Sequence, residues 1–206
     1  DYVSLFVDID QRRVVFVTEG RGADTVREFA DDLEAHNGDA SHIKQVCIDM
    51  SAAFIKGVTD NLTEAEITFD KFHAVKLVND AVDKVRRAES KGRPELRRSR
   101  YLWLRNEPSL SAEGRANLAA LTRLHLKTAR AYQIRLAFQE IYQQPTSAWG
   151  AMFLDRWYSW AIRSRLEPIK EAARTVMRHR DGILSWFDSH IANGLNKLRN
   201  ARVTLG

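Results

Sequence analysis

IKQVCIDMSAAFIKGVTDNLTEAEITFDKFHAVK (Ile43–Lys76) decides the fold. It holds two short apolar runs, Gln45-Val46-Cys47-Ile48 and Ala65-Glu66-Ile67-Thr68-Phe69, and each ends on an aspartate, Asp49 and Asp70. Runs this short, β-branched and aromatic, with a helically spaced segment between them, predict buried parallel strands of an α/β unit. Ala52, Ile55 and Val58 mark the crossover helix. Ligands and metals gather at the carboxyl ends of strands in open α/β sheets. Two acids at two such ends, with Phe72-His73 close behind, are therefore candidate site residues. The alternative is that Asp49 and Asp70 only cap the helices that follow, through Ser51 and Phe72.

Upstream, Tyr2–Asp8 and Val14–Thr18 read as a hairpin turning through residues 9–13. Gly20 and Gly22 break the pattern, and Asp24 is placed to cap a helix with Val26, Phe29, Ala30 and Leu33 on one face. His36-Asn37-Gly38-Asp39 ends that helix before the strand that reaches Asp49.

Downstream the character changes. Val75, Val78, Val82 and Val85 predict one face of a long helix, followed by a basic segment containing Lys84, Arg86, Arg87, Lys91, Arg93, Arg97, Arg98 and Arg100. Tyr101 and Trp103 come next, so aromatic faces lie beside cations, a combination that suits nucleic acid. Gly92-Arg93-Pro94 is the one plausible linker. Residues 111–190 read as helical almost throughout, punctuated by Pro145 and Pro168. Trp149, Phe153, Trp157, Trp160 and Ala161 are expected to form the core of a helix bundle.

Charge is divided along the chain. Residues 1–80 hold 8 Lys and Arg against 16 Asp and Glu, a net −8, and the remaining 24 against 11 give +13. An acidic front and a basic back fit a metal-dependent enzyme acting on nucleic acid. A single cysteine, Cys47, leaves no internal disulfide and no cysteine-rich zinc site. No apolar run is long enough to span a membrane, and no G-x-x-x-x-G-K-[ST] phosphate loop occurs. A cytoplasmic, bacterial, nucleoid-associated setting is the default expectation.

CIDMSAAFIKGV (Cys47–Val58) followed by AEITFDKFHAVKLVNDAVDKVRR (Ala65–Arg87) resembles the core signature of insertion-sequence transposases of the ISL-three family. The similarity runs from Tyr2 to about Gly194. It implies an α/β fold: an RNase H-like core over 1–91, a large, mostly helical insertion over 92–190, and a remnant of the returning core helix at 191–206. The implied reaction is DDE-type polynucleotidyl transfer with two divalent cations, Mg2+ or Mn2+, on DNA (transposon ends and target). A second copy of the chain is a further candidate partner.

By the same resemblance Asp49 is the second acid of the triad and the metal ligand, and Asp70 and His73 belong to the catalytic group. Lys76, Arg86, Arg87, Arg97, Arg98, Tyr101 and Trp103 are candidate DNA contacts. The family's first acid precedes the strand that begins at Tyr2, and the role is not carried onto Asp8 or Asp10. Its third acid is a glutamate after an Asn-Gly. Asn193-Gly194 is present, but no glutamate follows Glu171. The expectation is a catalytic-domain fragment or remnant that binds metal weakly and is inactive as it stands. The alternative is a catalytically dead DNA-binding or regulatory derivative.

Overall fold

Alternating residues at the start of the chain form β1 (Val3–Asp8), which pairs antiparallel with β2 (Arg13–Glu19). Helix α1 (Asp24–Ala35), β3 (Ile43–Ile48), α2 (Ala52–Asn61), β4 (Glu66–Phe69) and α3 (Lys71–Glu89) follow. Next come α4 (Arg100–Leu104), α5 (Ala112–Thr122), α6 (Lys127–Glu140), α7 (Ser147–Arg163) and α8 (Glu167–Arg178). The short helices α9 (Arg180–Leu184) and α10 (Trp186–Ser189) lead to β5 (Arg202–Leu205). This computed structural model describes residues 2–189 and the backbone of β5. No described helix is long and apolar enough to cross a membrane.

The chain divides into two compact units, Asp1–Ala74 with His179–Gly206, and Val75–Arg178. In the first, the sheet order is β2-β1-β5-β3-β4. The expected βαβ unit is present: β3 and β4 are parallel, with Ile48 opposite Phe69 and α2 between them in the chain. Val46, Cys47 and Ile48 are all buried, as suits a strand covered on both faces. Phe6 of β1 stacks on Phe29 of α1, with ring centroids 4.4 Å apart. Helices α1 and α2 meet so closely that a Cβ on Gly57 would lie 2.9 Å from the Ala23 carbonyl oxygen. From the far end of the chain, Ser185 and Thr68 share a buried hydroxyl–hydroxyl hydrogen bond of 2.7 Å.

Asp24 does not cap α1. The cap position is Ala23, without a side-chain hydrogen bond, and Asp24 lies in the first turn, where its charge still favours the helix dipole. At the other end Asn37 adopts φ 61° and the Gly38 N–H returns to the Leu33 carbonyl at 2.8 Å, a left-handed helix stop.

The second unit is helical. Val78, Ala81, Val82 and Val85 of α3 are buried, as their spacing requires. Ser111 caps α5 by accepting from the Gly114 N–H. Glu89, at the end of α3, accepts from the backbone N–H groups of Lys127 and Thr128 and from the Thr128 hydroxyl, at 2.7–2.8 Å. One carboxylate thus satisfies the start of α6. The compact units divide inside α3, between Ala74 and Val75, whereas the sequence expectation places a boundary at Gly92-Arg93-Pro94. Residues 179–189, expected within the insertion, fall in the first unit. Of the expected helix remnant at 191–206, residues 191–201 lie outside the described residues and Arg202–Leu205 is a strand.

The aromatic stripe of α7 also differs from its reading as core. Trp157 and Ala161 are buried, but Trp149 is 55% and Trp160 43% exposed. At about 100° per residue, Trp149 and Trp160 fall within about 20° of each other on the helix wheel, whereas Trp157 and Ala161 lie about 80–120° from Trp149. Side chains of one composition therefore occupy two faces.

Candidate active-site edge and basic helical unit

The parallel register of β3 and β4 carries both strands out of the sheet together. Asp49 follows Ile48, Asp70 follows Phe69, and Ile48 and Phe69 are partners. The two acids therefore stand at the same carboxyl-terminal edge. Each is engaged locally. Asp49 Oδ1 accepts from the Ser51 N–H at 2.9 Å, just before α2. Asp70 Oδ1 accepts from the Phe72 N–H at 2.9 Å, and its Oδ2 lies 3.1 Å from His73 Nδ1. The capping interpretation and the site interpretation are thus compatible, since the helix starts hold both carboxylates in place.

Asp8 stands elsewhere. β5 is parallel to β1 and antiparallel to β3, so β1 and β3 run in opposite directions. Asp8, at the end of β1, lies level with Val46 across β5, three residues short of Asp49, and its strand leaves the sheet in the opposite direction. It is buried and accepts from the Gln11 N–H at 2.9 Å, closing the hairpin turn.

The basic residues of the second unit separate into buried and exposed groups. Trp103, a candidate DNA contact by sequence, is fully buried. Its indole N–H donates to the Ser99 hydroxyl at 3.0 Å and its ring meets Tyr132 edge-on. It is a core residue and cannot meet DNA. Arg86 is also largely committed, because its Nε donates to Asp83 Oδ1 at 2.9 Å, its Nη2 lies 2.8 Å from the same oxygen as an ion pair, and its side chain is only 11% exposed. Lys76 pairs with Asp80 one helical turn on, at 2.9 Å. Arg87, Arg97, Arg98 and Tyr101 are exposed, and Tyr101 carries the Arg105 guanidinium 5.2 Å from its ring centroid. Asp83 was missed in the sequence, although its i, i+3 and i, i+4 spacing to Arg86 and Arg87 is a readable helical ion-pair signal.

Arg135 was missed as well. It is 2% exposed and has no carboxylate partner among the described residues. Its guanidinium donates to Asn79 Oδ1 at 2.6 Å, the Leu104 carbonyl at 3.0 Å and Asn106 Oδ1 at 2.8 Å. Burial lowers its pKa and raises that of the neighbouring Tyr132 phenol.

A family model described as Transposase, for DDE transposases of the ISL3 (ISL-three) type, matches residues 1–203. The chain belongs to this transposase family. It is 28% identical over 207 residues to the transposase for insertion sequence element IS1001 of Bordetella parapertussis, covering 95% of this chain and 50% of that protein. It is 27% identical over 232 residues to the transposase for insertion sequence element IS1557 of Mycobacterium tuberculosis (strain CDC 1551 / Oshkosh), covering 99% and 52%. The chain therefore spans about half the length of the curated relatives it matches. No solved structure matches it.

Within this transposase chain, Asp49, Asp70 and His73 are together at one edge. Among the described residues no group of three or more His, Cys, Asp or Glu is placed to hold a metal ion. Asn193-Gly194, where the family motif would continue, lies outside the described residues.

Proposed function

We propose that the β3–β4 edge is the catalytic edge of a DDE-type DNA transposase on an RNase H-like core, and that the helical unit is the insertion that holds DNA. The observation that carries this reading is the placement of Asp49 and Asp70 side by side at the carboxyl ends of adjacent parallel strands. The order hairpin, helix, strand, helix, strand supports the same core. DNA, as transposon ends and target, is the proposed substrate, and a second copy of the chain a proposed partner.

The cofactor proposed is Mg2+ or Mn2+, which in such enzymes polarises phosphate and activates the attacking oxygen. These hard cations take carboxylate oxygens. Asp49 has that chemistry, and its Oδ2 accepts no hydrogen bond among the described residues. Asp70 already spends both oxygens on Phe72 and His73. Two acids, one of them committed, do not complete a two-cation site. In the proposed chemistry the chain's own residues position groups. Asp49 offers an oxygen ligand from a fixed strand end. Asp70 orients the imidazole of His73 through Nδ1, holding the ring at the strand end where a phosphate would be bound.

Manganese line broadening tests the edge. In the folded chain, Mn2+ at millimolar concentration should broaden the backbone amide resonances of Ile48–Ser51 and Asp70–His73, and Asp49→Asn should abolish that effect. Broadening confined to the acidic residues of α1, or unchanged in Asp49→Asn, would overturn the reading.

A further inference from the structure

In the second unit one carboxylate holds three guanidiniums. Asp83 is 8% exposed. Its Oδ1 accepts from Arg86 Nε and lies 2.8 Å from Arg86 Nη2, while Oδ2 lies 3.5 Å from Arg87 Nε and 3.6 Å from Arg100 Nε. One negative charge thus faces three positive ones. Arg86 is accounted for by its close ion pair with Asp83, its bond to the Leu96 carbonyl and its burial. Arg87 and Arg100 meet Asp83 only at these longer distances, Arg100 also lies 5.9 Å from the Tyr101 ring centroid, and the two arginine side chains are 65% and 52% exposed.

These two arginines line a cavity of about 610 Å³, together with Lys84, Asp80 and, from α8, Glu171 and Thr175. Asp80 is already paired by Lys76. Counting Lys76, five cations face the three carboxylates Asp80, Asp83 and Glu171, which leaves two positive charges in surplus. Such a surplus, on guanidiniums already anchored from behind, favours an anion. Forked N–H donors match a phosphate's oxygens, and partly immobilised side chains lose less freedom on binding.

We propose that this pocket is a phosphate site for the DNA backbone, with Arg87 and Arg100 as the contacts and Asp83 as the positioning residue. The identity of the phosphate as DNA rests on the transposase reading above; the anion site itself rests on the geometry. The site differs from the exposed Arg97 and Arg98, which hold no such anchor among the described residues.

Charge-conserving variants test it. Binding of the whole chain to a short duplex is followed by fluorescence anisotropy across a salt series, with circular dichroism confirming the fold of each variant. Arg87→Lys/Arg100→Lys keeps the charge and removes the fork, and should weaken binding by about fivefold or more. Arg87→Ala/Arg100→Ala should also reduce the slope of log affinity against log salt by about one, the value for one phosphate contact. Asp83→Asn gives the sharpest contrast. Simple charge counting predicts tighter binding when a negative charge is removed, whereas a positioning role predicts weaker binding.

In parallel, inorganic phosphate is titrated while the Arg87 and Arg100 side-chain Nε–H resonances are observed. Duplex binding that all three variants leave unchanged would overturn the site and leave the transposase reading standing. Absence of duplex binding by the wild-type chain, with phosphate still shifting those resonances, would overturn DNA as the source and count against the DNA reading separately. Loss of duplex affinity in the lysine variant, together with weaker binding by Asp83→Asn, establishes the proposal.

Discussion

The backbone N–H of Asp70 donates to the carbonyl of Ile48 at 2.9 Å, extending the β3–β4 ladder one residue past the last strand pair. That bond keeps Asp49 and Asp70 in register as the chain turns into α2 and α3. It also allows the structural and chemical roles of Asp49 to be separated. Asp49→Ala removes the acceptor for the Ser51 N–H and should cost about 1 kcal/mol. Asp49→Asn retains a side-chain oxygen for that bond, so its stability should stay within about 0.5 kcal/mol of wild type. Chemical denaturation of both variants checks this difference. Equal losses would mean that the carboxylate charge itself holds the edge together.

Arg135 is a cation buried among neutral acceptors, and the loop at Leu104–Asn106 is tied to α3 and α6 through it. Its lowered pKa means that the charged form is disfavoured by burial, a cost offset by its hydrogen bonds. Lysine carries the same charge but cannot span three acceptors in a plane. Arg135→Lys should therefore destabilise the chain by about 2–3 kcal/mol. A midpoint unchanged in urea would show that the acceptors are satisfied some other way.

Glu89 joins two helices that lie 38 residues apart in the chain. Glu89→Ala leaves the Lys127 and Thr128 N–H groups at the start of α6 without their acceptor. The expected loss is about 1–2 kcal/mol, as for other helix N-terminal caps. Amide hydrogen exchange should locate it, with Lys127 and Thr128 losing protection. Protection that stays at the wild-type level would indicate that water or another group replaces the carboxylate.

The two faces of α7 give a paired expectation. Trp157 is 2% exposed and its indole N–H donates to the Ile134 carbonyl at 2.9 Å, so Trp157→Ala should cost about 3–5 kcal/mol. Trp149 stands 55% exposed, and Trp149→Ala should change stability by no more than about 0.5 kcal/mol. Thermal melting of the two variants side by side decides the matter.

Local pattern made the first unit readable. The runs ending at Asp49 and Asp70, the spacing of Ala52, Ile55 and Val58, and the hairpin all depend on neighbours within a few residues. What stayed hidden depends on distant partners. Nothing near Trp103 announces that Tyr132 and Ser99 enclose it, because a five-residue helix is too short to show a buried face. Arg86 and Arg87 are adjacent in sequence, yet one helical step of about 100° buries the first against Asp83 and exposes the second. Asn79 and Glu89 of α3 both reach α6, long-range contacts that composition around Gly92 does not register. At the candidate site, the Asp49–Asp70 pair follows from strand ends and was legible. The convergence of Arg100 on Asp83 comes from a separate segment and was not.

Gly182 gives the last prediction, because it governs how close α9 comes to the β3–β4 edge. A Cβ built there would lie 2.5 Å from both Cδ2 and Cε2 of Phe69 and 3.1 Å from the Ile67 carbonyl oxygen. Phe69 is a rigid ring, 5% exposed, with His179 edge-on at 5.0 Å, so it cannot swing aside without disturbing its surroundings. It also directly precedes Asp70. Gly182→Ala should therefore cost about 1–3 kcal/mol through overpacking, and should shift the amide resonances of Phe69, Asp70 and His73. Ala172→Gly in α8, which removes a buried methyl group in the other compact unit, serves as a comparison for a one-carbon change away from Phe69 in sequence. Stability and edge resonances in Gly182→Ala that match wild type would mean α9 can retreat from β4, and that the position of Asp70 does not depend on that contact.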